Sequence, residues 1–288
     1  MKKDIKIALV GNPNTGKSTL FNLLTGLNQK IGNFPGITVD KKVGFCKLPD
    51  GKHAEVVDLP GTYSLYPKSR DESIVFQVLA DKNNSSHPDV VVLVADVTIL
   101  RRNLLLYSQV ADLKIPIVLA LNMADMAKKQ GVEVDVDKLS DRLGVQIVSI
   151  SARSNSGLDE LKAAINNTTK IATQVEGTDV YTFAPEAIEK AKTVIKTDNN
   201  YFALQVLHQY ETLDCFSKDD KLSLAEIRKA HEFDSSKLQA GETVARYRFL
   251  GGILSGIVQD TGAARKFNFS DKIDKVLTNR VWGFVIFL

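Results

Sequence analysis

The chain has 288 residues, 44% of them hydrophobic and 25% charged, and its 37 Lys and Arg exceed its 34 Asp and Glu by three. This balance excludes disordered, collagen-like and low-complexity classes, and so small a positive excess does not by itself point to nucleic acid. The length suggests about two domains. The two cysteines, Cys46 and Cys215, lie far apart and form no C-x-x-C motif, which excludes a disulfide framework and fits a reducing compartment.

From the N-terminus, a short basic start leads into IKIALV (5–10) and then a glycine motif, which reads as a first strand and not as a signal peptide. Three more short, β-branched runs follow: VVVLVAD (90–96), IPIVLALN (115–122) and VQIVSIS (145–151). Continuous apolar runs of this length suit strands buried on both faces. Helical periodicity follows each strand, over 18–24, 102–113, 137–143 and 158–165. Segments 43–48 and 53–58 flank Pro49-Asp50-Gly51, a hairpin signal. The expected fold of residues 1–170 is α/β: a mostly parallel sheet with one antiparallel edge strand, covered by helices. Residues 171–179 are polar and read as a linker. From about 184 to 265 the pattern is helical with no clear strand, so a smaller all-α domain is expected over 180–276. Pro185 marks a helix start there, and Tyr247, Leu250 and Leu254 share helical spacing. No run of 18 apolar residues occurs, so no complete bilayer span is expected.

The chemistry-bearing residues sit at the ends of the predicted strands. GNPNTGKS (11–18) matches G-x-x-x-x-G-K-[ST] between a strand and a helix. Gly11 and Gly16 let the backbone curl around phosphate oxygens, and Asn12, Pro13, Asn14, Thr15 and Thr19 complete the loop. Lys17 reaches the β- and γ-phosphates, and the Ser18 hydroxyl suits Mg²⁺. Asp58, Leu59, Pro60 and Gly61 follow a strand; the carboxylate serves Mg²⁺ and the Gly61 N–H the γ-phosphate. An Asp-x-Pro-Gly turn alone would be ordinary, but the strand context and the distance from Lys17 favour the nucleotide reading. Between these two motifs lie Gly36, Ile37, Thr38, Val39 and Asp40, and the Thr38 hydroxyl is expected to complete Mg²⁺ coordination in the triphosphate state. NMAD, with Asn122, Met123 and Asp125, supplies a carboxylate for guanine N1–H and the 2-amino group, which adenine cannot satisfy. Ser151, Ala152 and Arg153 close the set, with the Ala152 N–H expected at guanine O6. Five elements in this order point to GTP.

The set resembles the translation-factor-like branch of small GTPases, and more closely the N-terminal cytosolic part of the bacterial ferrous iron transport protein B family. The residues that carry the likeness are GNPNTGKSTLFNLLTG (11–26), IGNFPGITVD (31–40), DLPGTYSL (58–65) with Asp71-Glu72, NMAD (122–125), ARYRFLGGIL (245–254) and LTNRVWGF (277–284). The resemblance implies a GTPase that regulates or drives ferrous iron uptake from the cytoplasmic side of the bacterial inner membrane. It also implies that residues 277–288 begin a truncated transmembrane segment, although Val285 stands where the family pattern has proline. Arg265, Lys266, Lys272, Lys275 and Arg280 give that end a local positive excess, as membrane entry on the cytoplasmic side favours. The partners it implies are GTP or GDP and the chain's own membrane region; a homo-oligomer stays open, and nucleic acid is not expected.

Position 62, after DLPG, holds Thr where Ras-like enzymes carry a water-orienting Gln. GNPN-type loops resemble those of potassium-activated GTPases, in which the residue matching Asn14 helps bind K⁺ near the β–γ bridge. A slow, potassium-activated GTPase with catalytic Lys17, Asn14, Thr38 and Gly61 is therefore expected, with Mg²⁺ and K⁺ as cofactors. Arg70 is the other candidate charge, but a helix start suits a solvated arginine equally. His53, His87, His208 and His231 show no metal-ligand spacing. Two alternatives remain at this stage: a ribosome-assembly-type GTPase, and a nucleotide-sensing module with little turnover.

Overall fold

The computed structural model describes residues 4–27, 29–34, 39–168 and 178–260. Gly36, Ile37 and Thr38, most of the expected linker, and the expected membrane-entry segment 277–288 with its basic flank lie outside the described residues.

The chain alternates strands and helices through its first half: β1 (Ile5–Gly11), α1 (Lys17–Thr25), β2 (Gln29–Asn33), β3 (Asp40–Lys47), β4 (His53–Asp58), α2 (Arg70–Ala80), β5 (Val90–Asp96), α3 (Leu100–Asp112), β6 (Ile117–Asn122), α4 (Ala124–Gln130), β7 (Val132–Val134), α5 (Val136–Leu143), β8 (Gln146–Ser149) and α6 (Leu158–Thr168). Then come α7 (Pro185–Ile195), α8 (Asn200–Gln209), α9 (Lys218–Ala230), α10 (Ser235–Leu254) and a last short strand, β9 (Val258–Asp260). The main sheet runs β2-β3-β4-β1-β5-β6-β8. Strands β4, β1, β5, β6 and β8 are mutually parallel, and β3 pairs antiparallel with β4.

Two expectations about strands need correction. The antiparallel strand β3 is not the edge, because β2 pairs antiparallel outside it, with Gln29 opposite Gly44 and Asn33 opposite Asp40. Every residue of β2 is exposed, so no apolar alternation marked it in the sequence. The helical part also contains a strand after all. β9 pairs antiparallel with β7, which returns the chain to the α/β part. Three residues are too few for a period to show.

Alternate residues of the parallel strands feed two cores. Ile7, Leu9, Val92, Val94, Val118 and Ala120 face α1 and α6. Ala8, Val10, Val91, Leu93, Leu119 and Leu121 face the other side, where residues of α2, α3 and α5 share one continuous core with Ile188, Leu204, Leu207, Leu224 and Leu250 of the helical part. Burial on both faces accounts for the unbroken apolar runs. Helix α3 lies between the sheet and α10; all its residues except Arg101 and Arg102 are buried. Arg142 of α5 donates from Nη1 to the carbonyls of Ile253 (2.7 Å) and Ser255 (2.9 Å), satisfying orphan acceptors at the end of α10. No helix among the described residues is long and apolar enough to cross a membrane.

Candidate functional site

The phosphate loop leaves β1 at Gly11 and enters α1 at Lys17. Two positions tolerate only glycine. A Cβ on Gly11 would lie 2.6 Å from the Val94 carbonyl oxygen, and one on Gly16 would lie 2.2 Å from the Asn122 amide nitrogen, in a backbone at φ +85°. Thr15 is buried, and its hydroxyl donates to the Asn12 carbonyl at 2.9 Å, which closes the loop on itself. The Asn12 side chain is buried, and neither of its polar atoms has a hydrogen-bond partner among the described residues. Asn14 is exposed at the mouth of the loop in a left-handed conformation, φ 65°, which asparagine adopts more readily than most residues. Asn12, Pro13, Asn14, Gly16, Lys17, Ser18, Thr19 and Gly61 line one open cleft of about 400 Å³.

The turn after β4 is sewn to the base of this loop. Leu59 donates to the Leu9 carbonyl and Thr62 to the Gly11 carbonyl, each at 3.2 Å, and Gly61 packs on Pro13. The Lys17 ammonium pairs with the Asp58 carboxylate, both largely buried. The Ser18 hydroxyl lies 3.4 Å from the other Asp58 oxygen. A hydroxyl and a carboxylate, both hard oxygen donors, thus face one point beside the loop, and they fit Mg²⁺. Val39 and Asp40 lead into β3, half-buried and exposed respectively.

The residues expected to select the base converge from two strand ends. Asn122 ends β6 and donates from Nδ2 to the Thr15 carbonyl at 2.8 Å, bracing the phosphate loop. Met123, at φ 65°, turns the chain into α4 and places Asp125 in its first turn. There the Asp125 carboxylate accepts from the Ser151 hydroxyl at 3.0 Å. The Ala152 N–H donates to Asn122 Oδ1 at 2.9 Å, because the amide that braces Thr15 has its oxygen aimed at the 151–153 turn. Arg153 is exposed beside it. The expected site residues from 11–19, 58–61, 122–125 and 151–153 lie on these adjoining loops and strand ends, whereas Asp40 pairs with Asn33 across β2 and β3.

Of the residues that follow the turn, Thr62 and Arg70 were singled out in the sequence, and Tyr66 was not. Thr62 is fully buried and its hydroxyl donates to the Ser64 carbonyl at 2.7 Å, so it holds its own turn. Arg70 is exposed at the start of α2. The Tyr66 hydroxyl donates to Glu242 of α10, and Arg246 of the same helix lies wholly buried between Glu242 and Asp112. Helix α10 therefore turns Glu242, Arg246, Leu250 and Ile253 inward. The Tyr247–Leu250–Leu254 stripe expected from spacing is only half right: Leu250 is buried, while Tyr247 and Leu254 are half-buried. Two charged residues on the buried face erased the apolar period that would have revealed it.

Comparison with known proteins agrees with this geometry. A family model described as "Ferrous iron transport protein B" matches residues 5–165. The Fe(2+) transporter FeoB of Escherichia coli strain K12 is 33% identical over 99% of the chain, and that of Salmonella typhimurium strain LT2 is 34% identical over the same share. The chain spans 37% of the length of each. Among solved structures, the cytosolic domain of L. pneumophila FeoB superposes with a TM-score of 0.74 at 31% identity, covering 88% of this chain and 99% of that one. A GDP-bound point mutant of the S. thermophilus FeoB G-domain gives 0.69 at 32%, covering 88% and 100%. With a P-loop GTPase fold and this match over more than half its length, the chain belongs to the ferrous iron transport protein B family.

Proposed function

We propose that this chain binds and slowly hydrolyses GTP, and that it is the cytosolic regulatory part of a ferrous iron transporter at the inner membrane. The observation that carries the nucleotide reading is the stitching of three loops by one side chain: Asn122 holds the phosphate loop through Thr15 and the 151–153 turn through Ala152, while Asp125 stands beside it. That arrangement fixes the distance between a phosphate cradle and a carboxylate suited to guanine. A base without donors on that edge leaves the carboxylate unpaired, which is heavily penalised.

Lys17 binds the β,γ-oxygens, leaving Asp58 and Ser18 to hold Mg²⁺, with Thr38 as the further ligand expected from the sequence. When bound, Mg²⁺ neutralises phosphate charge, and K⁺ at Asn14 would supply positive charge at the β–γ bridge as an arginine finger does. Gly61 offers its N–H to the γ-phosphate. Thr62 is committed to its own turn, so water is oriented by backbone groups and not by a side chain at position 62. Residues 1–170 are the GTP-binding unit, 180–276 the helical regulatory unit and 277–288 the start of a membrane segment. The relatives' name, Fe(2+) transporter, supports the link to iron, and their greater length leaves room for the membrane part. Titration with fluorescent GTP, ATP and XTP tests the core of the proposal. Selective GTP binding is expected, and equal affinity for ATP would reject it.

A further inference from the structure

The segment Thr62–Tyr66 has no regular secondary structure, yet Thr62, Leu65 and Tyr66 are buried. It begins at the turn that contacts the phosphate loop, and groups from three helices grip it. From α3, the Arg102 guanidinium stacks 4.2 Å from the Tyr63 ring centre, and Gln109 Oε1 accepts from the Leu65 N–H at 2.9 Å. From α8, Gln209 Nε2 donates to the Leu65 carbonyl at 2.9 Å. From α10, Glu242 accepts from the Tyr66 hydroxyl.

The last grip is part of a buried ionic chain. Glu242 also accepts from Arg246 Nε at 2.5 Å, and Arg246 Nη2 donates to Asp112 at 2.6 Å. Asp112 ends α3, the helix that supplies Arg102 and Gln109. The Arg246 guanidinium lies 4.6 Å from the Tyr201 ring centre. Burying one guanidinium and two carboxylates costs more than packing apolar side chains of the same volume, so stability alone does not explain the choice. Directional bonds at low dielectric do hold one geometry, and the geometry held here is that of the segment leaving Gly61.

We propose that Tyr66 and Glu242 are positioning residues for GTP hydrolysis: through their hydrogen bond the helical part fixes the turn at Gly61 against the phosphate loop. The inference rests on the GTPase reading above. A displacement of about 1 Å in a positioning element is enough to cost up to about 100-fold in rate.

The test uses the full chain and compares Tyr66→Phe, Glu242→Gln and Lys17→Ala with the unmutated protein. Single-turnover GTP hydrolysis, affinity for a fluorescent non-hydrolysable GTP analogue and thermal melting are measured for each. Tyr66→Phe removes one hydroxyl and keeps the ring. It is expected to slow hydrolysis about tenfold while affinity stays within about threefold, the split that marks loss of transition-state positioning. Should Glu242→Gln fail to fold, Tyr66→Phe alone decides. A lower melting temperature with unchanged hydrolysis per folded molecule would show a purely structural contact and overturn the proposal; faster hydrolysis would show a restraint and overturn it equally. If Lys17→Ala still hydrolyses GTP normally, the GTPase reading falls and takes this inference with it. If Lys17→Ala is inactive and Tyr66→Phe is unaffected, only this inference falls.

Discussion

The α/β part and the helical part bury polar groups in different ways. Around the phosphate loop, side chains mostly meet backbone groups of neighbouring loops: Thr15 bonds the Asn12 carbonyl, and Asn122 bonds the Thr15 carbonyl and the Ala152 N–H. Between the helical part and α3, charged side chains meet one another in the interior, with Arg246 between Glu242 and Asp112. The first arrangement needs only short stretches at strand ends, so local motifs encode it. Both span the chain, Asn122 reaching Thr15 across 107 positions and Arg246 reaching Asp112 across 134, but every partner in the first falls in a motif, whereas Tyr66, Asp112 and Glu242 fall in none. A site can thus be built from motifs and still be held in place by residues that belong to none.

The largest test of this contrast is Arg246→Ala. It leaves Glu242 and Asp112 buried without their common cation, and breaking a buried ion pair in this way costs about 3–5 kcal/mol. Burial already pushes the Asp112 carboxyl above its ordinary value, with Arg246 pulling it back. Removing Arg246 should therefore raise it further, and denaturant unfolding should show a loss of stability that shrinks as Asp112 takes up a proton. A variant as stable as the unmutated chain at pH 7 would show that the ionic chain bears none of the interface.

On the α/β side, Asp125→Asn should leave the fold intact and alter only recognition. A loss of about 100-fold in GTP affinity is expected, with XTP gaining, because the amide nitrogen donates to the xanthine O2 but meets another donor in the guanine 2-amino group. Fluorescent-nucleotide titration reads both effects. If the two affinities move together, the carboxylate does not face the base.

The helical part should also set the response to acid. His208 is half-buried, edge-on to Tyr66 at 4.9 Å between ring centres, and burial first, then Arg228, lowers its pKa from 6.5 to about 4. The folded state therefore binds this proton less readily than the unfolded chain. Stability from the neutral ring is complete above about pH 6.5 and is lost as pH falls toward 4, amounting to about 2 kcal/mol between pH 7 and pH 5. His208→Asn, with no proton to take up, should flatten that part of the unfolding profile. An unchanged slope would assign the acid response to other groups.

The smallest effect sharpens the chemistry of the phosphate loop. Replacing Na⁺ by K⁺ at fixed ionic strength should raise GTP turnover about tenfold, and Asn14→Ala should remove that gain while leaving nucleotide affinity nearly unchanged. Equal rates in the two salts would reject the cation. A gain that persists in Asn14→Ala would move its site elsewhere.

The sequence by itself determined the α/β class, the parallel strands and the loops at their ends. Strands buried on both faces carry continuous apolar runs, and the phosphate loop must supply glycine where Val94 and Asn122 crowd the backbone. Pro185 marked the start of α7, and the helical pattern read from about 184 onward contains α7 to α10. Tertiary structure alone decided the rest. The exposed edge strand β2 and the three-residue β9 are stabilised by pairing with β3 and β7, which leaves no period in their own residues. The inward face of α10 carries Glu242 and Arg246, whose burial rests on Asp112 and Tyr66 being brought to them. Whether a charge lies in water or in a core depends on what the chain places opposite it, and that partner lies far away in sequence.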